Sequence, residues 1–254
     1  MTIPRGSMVN TEVVDGVRLL SHAHVNCYLI EDDDGVTLVD AGLPSMWPMV
    51  LEALERSDRR PDEVRALVLT HGHFDHVGFA ARARREWNVP VLVHPKDTRL
   101  AAHPYRYRPE RNRLLYPLTH PRSLPVLGRM AMAGALNVKG VEGTEELATG
   151  TALPLPGRPT VVHTPGHTDG HCILHLPERD VVLSGDALVT LDPYTGHVGP
   201  QIVASAATKD TRRALASLDA VAATGATTVL PGHGRPWFQG AREAVRHALD
   251  VGRH

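Results

Sequence analysis

Thr70-His71-Gly72-His73-Phe74-Asp75-His76 sets three imidazoles and a carboxylate within six residues. Neutral imidazole and carboxylate are the usual protein ligands for zinc and related divalent ions. In extended backbone His71 and His73, two apart, point the same way. Asp75 and His76 are adjacent, so they diverge and can serve a second ion. Taken alone, the stretch also reads as a histidine-rich surface loop.

Three further apolar runs end in such a donor. Thr160 to His163 leads into Thr164-Pro165-Gly166-His167, Val181 to Leu183 into Ser184-Gly185-Asp186, and Thr227 to Leu230 into Pro231-Gly232-His233. A glycine precedes the donor each time, and glycine lets the backbone turn sharply enough to aim the next side chain. Singly, each is an ordinary turn. With Ala66-Leu67-Val68-Leu69 before the first cluster, four strand ends present His or Asp, which coincidence explains poorly.

The elements that must position these residues follow from periodicity. Val17 to Leu20, Val25 to Ile30 and Val36 to Val39 read as strands, the last two joined by a turn at Asp32-Asp33-Asp34-Gly35. Asp40-Ala41-Gly42 ends the third; Asp40 either caps a turn or lies beneath the metal site and orients a ligand. Ser45 to Ser57 reads as a helix with Ser45 as N-cap. Val77 to Trp87 reads as a second helix and Val89 to Val93 as a strand, an alternation that implies parallel pairing. Thr160 to His163, Cys172 to Leu176 and Val181 to Leu183 read as three more strands. Lys209 to Thr224 and Gln239 to Val251 are helical, with the strand Thr227 to Leu230 between them.

Between about 95 and 150 this pattern breaks. Seven arginines lie from Arg99 to Arg129, interleaved with Tyr105, Tyr107 and Tyr116, and Met130 to Leu136 reads as a short helix. Basic residues mixed with tyrosine can mark nucleic-acid binding. A solvated helical insertion forming a wall over the site is the favoured reading, because variable loops on a rigid scaffold set specificity.

Composition bounds the rest. Hydrophobic residues make up 42% and charged residues 22% of 254 residues, as in one large globular domain or two small ones. The formal net charge of -1 argues against a general polyanion binder. No apolar run is long enough for a membrane span, and no secretory leader pattern opens the chain. With two cysteines, Cys27 and Cys172, a disulfide framework is not expected and a cytoplasmic location is. Pro4-Arg5-Gly6-Ser7 reads equally as native sequence or as a protease-site remnant ahead of a start at Met8.

The ordered set His-x-His-x-Asp-His, Gly-His, Gly-Asp and Gly-His, with Asp40-Ala41-Gly42 upstream, resembles the metallo-β-lactamase superfamily from about Val13 to His247. The resemblance implies an α/β fold, a four-layer αβ/βα sandwich of two mixed β-sheets flanked by helices. It would form a single domain over 8–254 with the helical insertion at about 95–150. It further implies two divalent metal ions: His71, His73 and His167 bind the first, Asp75, His76 and His233 the second, and Asp186 bridges them. All donors are N or O, which suits Zn²⁺ and also admits Mn²⁺ or Fe. A hydroxide bridging such a pair is a nucleophile at neutral pH, and Asp75 can relay a proton while ligating.

The function this implies is hydrolysis of an ester, thioester or lactone in a small-molecule substrate. Departures narrow the branch. Zinc β-lactamases generally lack a carboxylate at the Asp186 position. Glyoxalase II carries a C-terminal helical domain, flavodiiron proteins a flavin domain, and RNA-processing members an exosite arm, none of which these residues provide. Acyl-homoserine lactonases match in size and donors. Tyr194 either serves as their carbonyl-binding tyrosine or is a turn residue of Asp192-Pro193-Tyr194-Thr195-Gly196. An iron-dependent sulfur dioxygenase-like oxidoreductase and a nucleic-acid hydrolase using the arginine-rich insertion stand as alternatives. His22, His24, His94, His103, His120, His163, His171, His175 and His197 match no ligand motif and read as surface or core, and Cys172 as buried packing.

Overall fold

The computed structural model describes residues 8–113 and 116–253, so Pro4-Arg5-Gly6-Ser7 lies outside the described residues. Seven strands form the first sheet in chain order: β1 (Met8–Val14), β2 (Val17–His22), β3 (Val25–Asp32), β4 (Gly35–Val39), β5 (Val64–Val68), β6 (Val91–Val93) and β7 (Glu145–Glu146). The pairs from β1 to β4 are antiparallel, and those from β4 to β7 are parallel. The second sheet comprises β8 (Thr160–His163), β9 (Cys172–Leu176) and β10 (Val181–Gly185), with a later strand, β13 (Thr228–Pro231), parallel to β10. A separate hairpin pairs β11 (Val189–Leu191) with β12 (Val198–Gln201). The helices are α1 (Trp47–Arg56), α2 (Ala80–Trp87), α3 (Thr98–Ala102), α4 (Tyr116–Thr119), α5 (Ser123–Met130), α6 (Thr211–Ala223) and α7 (Ala241–Val251).

Alternation along the strands builds four layers, because successive side chains leave opposite faces of a sheet. Leu20, Cys27, Leu29, Leu38 and Leu67 face out and pack with Met49 and Val50 of α1 and Ala80 and Ala83 of α2. Their neighbours Leu19, Tyr28, Ile30, Val39 and Val68 face in and meet Val161, Cys172, Leu174, Val181, Leu183 and Leu230 of the second sheet. The alternate residues Ile173, Val182 and Val229 then face α6 and α7 through Leu218, Ala244 and Val245. The order helix, sheet, sheet, helix is the expected αβ/βα sandwich of two mixed sheets.

Several boundaries move for identifiable reasons. The first helix begins at Trp47 rather than Ser45, after a 3-10 turn over Pro44–Met46. Ser45 does not cap it; the buried Ser45 hydroxyl has no hydrogen-bond partner among the described residues. Pro48 in the first turn lacks the N–H that a cap would satisfy. The second helix starts at Ala80, not Val77. Three backbone bonds tie 76–79 to Ala41 and Gly42 instead: Ala41 N donates to His76 O (2.7 Å), Gly78 N to Gly42 O (2.9 Å) and Phe79 N to Ala41 O (3.1 Å). Within 95–150, α3, α4 and α5 are helical as expected, but Glu145–Glu146 adds an edge strand to β6. The expected Met130–Leu136 helix is present as the end of α5 followed by a π-helical turn over Ala131–Ala135, kinked at Gly134, whose φ is 97°.

β8, β10 and β13 run in one direction, so their C-terminal ends share one edge of the second sheet. Cys172 N donates to Thr70 O (2.9 Å) and Asn26 N to Gly232 O (2.9 Å), which ties that edge to the ends of the first sheet. Cys172 is buried, as expected.

The Ala41–Gly78 backbone pairing leaves no room for a side chain. A Cβ on Gly78 would lie 2.2 Å from Gly42 O and 2.6 Å from Leu43 Cα. Gly78→Ala should therefore cost about 3 kcal/mol, since the clash is with backbone rather than a flexible side chain. Urea unfolding of the two proteins measures this, and an unchanged midpoint would contradict it.

Candidate metal centre

The loops after β5, β8, β10 and β13 bring all seven sequence-predicted donors together, and all seven are buried. Donor atoms of His71, His73 and His167 lie within 4.8 Å of one another, as do those of His71, His76 and Asp186, and those of Asp75, His76 and His233. Asp186 stands between the groups. Its Oδ1 is 3.5 Å from His76 Nε2, and its Oδ2 is 3.4 Å from both His167 Nε2 and His233 Nε2. Asp75 Oδ2 is 3.3 Å from His233 Nε2.

The outer partners decide which ring nitrogen faces inward. Thr70 Oγ1 donates its proton to Asp40 (2.8 Å), so it must accept from His71 Nδ1 (3.1 Å). Thr208 Oγ1 donates to Val203 O (2.7 Å) and so accepts from His167 Nδ1 (3.2 Å). His76 Nδ1 donates to Asp40 Oδ2 (2.8 Å), and His233 Nδ1 to His24 O (2.8 Å). Each of these four rings therefore turns Nε2 into the cluster. His73 is the exception, with Nδ1 2.9 Å from His167 Nε2. With Nδ1 of His167 already a donor, its Nε2 is a lone pair, so this close pair requires a proton or a cation between the rings.

Buried polar atoms are almost always hydrogen-bonded. Here His71 Nε2, His73 Nε2, His76 Nε2 and Asp186 Oδ1 have no partner among the described residues. Inward ring nitrogens without partners, arranged around a carboxylate, are the condition a cation relieves. Five imidazoles and two carboxylates, without a thiolate, fit a dinuclear metal site.

The two ends of the cluster differ electrostatically. Burial, reinforced by neighbouring imidazoles, holds His71 well below its ordinary pKa. Burial pushes His73 and His167 down to about 3. At the other end burial again opposes charge, but carboxylates outweigh it. Asp40 and Asp186 hold His76 well above its ordinary value, and Asp186 and Asp75 raise His233 to about 10. His233 and His76 in turn hold Asp186 well below the carboxylate range, against its burial.

Asp40 both ends its strand and orients a ligand. Besides His76 it accepts from Thr70 N (2.8 Å), and it takes a φ of 61° to do so. Two supports carry no sequence motif. Asp97, buried, accepts from Gly72 N (3.1 Å), Thr168 Oγ1 (2.6 Å) and Gly170 N (2.8 Å), clamping the His71–His73 loop to the His167 loop. His171, in the core as expected, accepts from Asp186 N at Nε2 (2.9 Å) and meets Thr164 Oγ1 at Nδ1 (2.9 Å). It fixes the backbone that carries Asp186 rather than joining the donor groups.

The insertion covers the cluster with aromatic and basic groups. The Tyr107 ring lies 4.0 Å from that of His73, and the Arg113 guanidinium sits 5.1 Å from the Tyr107 ring. The Tyr107 phenol lies beside Arg113 and the Tyr194 phenol, and the charge of Asp75 acts on both phenols. Burial, with Asp75, raises both tyrosines. Of the two readings of Tyr194, the turn is what the structure contains: its N–H closes on Asp192 Oδ1 (3.0 Å), and its phenol lies beside Tyr107.

The chain matches the family model described as the metallo-beta-lactamase superfamily over residues 21–233, and it belongs to that superfamily. The probable metallo-hydrolase YflN of Bacillus subtilis is 27% identical over 184 residues, covering 71% of this chain and 67% of YflN. The N-acyl homoserine lactonase AiiA of Bacillus thuringiensis subsp. kurstaki is 26% identical over 209 residues, covering 73% and 69%. Among solved structures, the metallo-beta-lactamase family protein TTHA1429 from Thermus thermophilus superposes with a TM-score of 0.65 at 26% identity, over 93% of this chain and 80% of that one. No described helix is long and apolar enough to cross a membrane.

The unequal protonation of the two ends sets the pH dependence of metal uptake. Burial disfavours the imidazolium at His71, His73 and His167, so an ion there displaces few protons. Asp40, Asp186 and Asp75 favour the imidazolium at His76 and His233, so an ion at their end must displace protons. Affinity at the His233 end should therefore rise with pH toward about 10, while the His167 end stays flat. Calorimetric zinc titration in buffers of different ionisation enthalpy should show roughly one proton or more released with the second equivalent and little with the first. Equal release in both steps would contradict this.

Proposed function

We propose that this protein is a hydrolase that uses two divalent ions, zinc best matching the donor set, to cleave an ester, thioester or lactone in a small-molecule substrate. The observation that carries the reading is the inward convergence of seven buried donors beneath a pair of phenols. His71, His73 and His167 would hold one ion, Asp75, His76 and His233 the other, and Asp186 both. Such a pair supplies Lewis acidity and a water acidified to near neutrality.

The chain's own groups supply the rest. Beside Arg113 and Tyr194, the Tyr107 hydroxyl is assigned to donate its proton toward an acyl oxygen or a departing alkoxide or thiolate. A donor fixed before reaction, in a partly dehydrated site, stabilises developing negative charge without reorganising. Asp75, the carboxylate whose charge reaches both phenols, is assigned the proton transfer. A lactonase among the relatives supports acyl chemistry. Arg113 is turned onto an aromatic ring at the site rather than outward as a phosphate-binding arginine would be, which weighs against the nucleic-acid alternative.

Protein loaded with two zinc equivalents should hydrolyse at least one of a panel of esters, thioesters and lactones, lose the activity on chelation, and regain it with zinc. Failure on every class with both ions bound would overturn the proposal. Tyr107→Phe should lower kcat by about a hundredfold, as removal of a charge-stabilising donor does, with little change in KM. An unchanged kcat would remove Tyr107 from the chemistry.

A further inference from the structure

Beside the metal centre lies a cavity of about 1090 Å³, at the top of the ordinary range for small-molecule sites, about 300–1,000 Å³. His24 and Gly234 line it and flank His233: His24 O accepts from His233 Nδ1, and Gly234 follows that ligand in the chain. None of the seven donors lines it, so the cavity adjoins the cluster across His233.

The lining combines two features. Met132, Val198, Leu191 and Trp237 make it largely apolar, with Met132 and Val198 exposed at 83% and 75%. The charged side chains among its lining residues are Arg129 and Arg235, and no Asp or Glu lines it. Among the described residues neither guanidinium pairs with a carboxylate. Arg129 NH1 bonds His24 Nε2 (3.0 Å), which anchors the side chain and leaves most of its five N–H donors open. A largely apolar cavity with two unneutralised guanidinium groups is complementary to an anion on an apolar stem. The guanidinium fork matches carboxylate and phosphate oxygens in particular.

We infer that the substrate is an anionic amphiphile: an acyl compound whose apolar chain fills this cavity and whose carboxylate or phosphate engages Arg129 and Arg235. This rests on the acyl-hydrolase reading for the word substrate, but the binding specificity stands apart from it. The inference also assigns a purpose to the insertion, since Arg129 and Met132 come from it and the metal donors do not.

The test is binding, read on the zinc-loaded full chain by calorimetry and by the emission of Trp237, with Trp237→Phe as the fluorescence control. The probes are octanol, octanoate and octyl phosphate. Both anions, or octyl phosphate alone, should bind at least about tenfold more tightly than octanol, the size of one charge-assisted hydrogen bond; the second pattern assigns a phosphate rather than a carboxylate. The anion preference should collapse toward unity in Arg129→Met and in Arg235→Met, and Arg129→Lys should keep part of it. Equal binding of all three probes, or a preference that survives both methionine variants because the anion sits on the metals, overturns the inference. Neither result depends on turnover, so a protein inactive on every ester could still show the preference, and an active one could lack it.

Discussion

The structure depends on one constraint: a histidine buried in this cluster can bind a cation only if its outer nitrogen has somewhere to put its proton. Thr70, Thr208, Asp40 and the carbonyl of His24 supply that place for His71, His167, His76 and His233. Each of these bonds takes the outer proton and turns Nε2 inward, the role such outer partners have at metal sites generally. The threonines act because their own protons are committed elsewhere, to Asp40 and to Val203 O. The donor set is thus a property of a network that reaches back into both sheets.

The sandwich serves that network. β8, β10 and β13 must end at one edge for His167, Asp186 and His233 to meet the 71–76 loop, and the inter-sheet core from Leu19 to Leu230 holds those edges in register. Glycine does its work at close approaches. Gly78 lets 76–79 pair with Ala41 and Gly42, which brings His76 to Asp40. A loop closed on backbone in this way cannot drift without moving a ligand.

Much of this was legible in the sequence, and the limits are physical. The alternation of Leu19 with Leu20, or Ile173 with Leu174, is a local pattern with period two, so the strands and their two faces could be read directly. The metal donors were legible because chemistry demands adjacent types after a turn, His71 through His76 and each Gly-His or Gly-Asp. Asp97 and His171 were not, because each acts by accepting from backbone N–H groups up to about 70 residues away, and no local spacing encodes that. In the sequence Tyr107 is only part of a tyrosine-and-arginine mixture; its place over His73 is set by how the insertion folds. Glu145–Glu146 became an edge strand through pairing with β6, against its own charged composition, and the 198–201 strand hid behind Gly199 and Pro200. The helix start at Trp47 was misread because Ser45 has cap chemistry while the neighbouring prolines remove the need for a cap.

The most direct test of the central claim is anomalous diffraction from crystals grown with zinc. Two peaks are expected, separated by about 3.5–4 Å as in other two-metal sites. One should lie among His71, His73 and His167 and the other among Asp75, His76 and His233, with Asp186 bonded to both. Metal bound elsewhere, or a single ion with Asp186 turned away, would contradict the account.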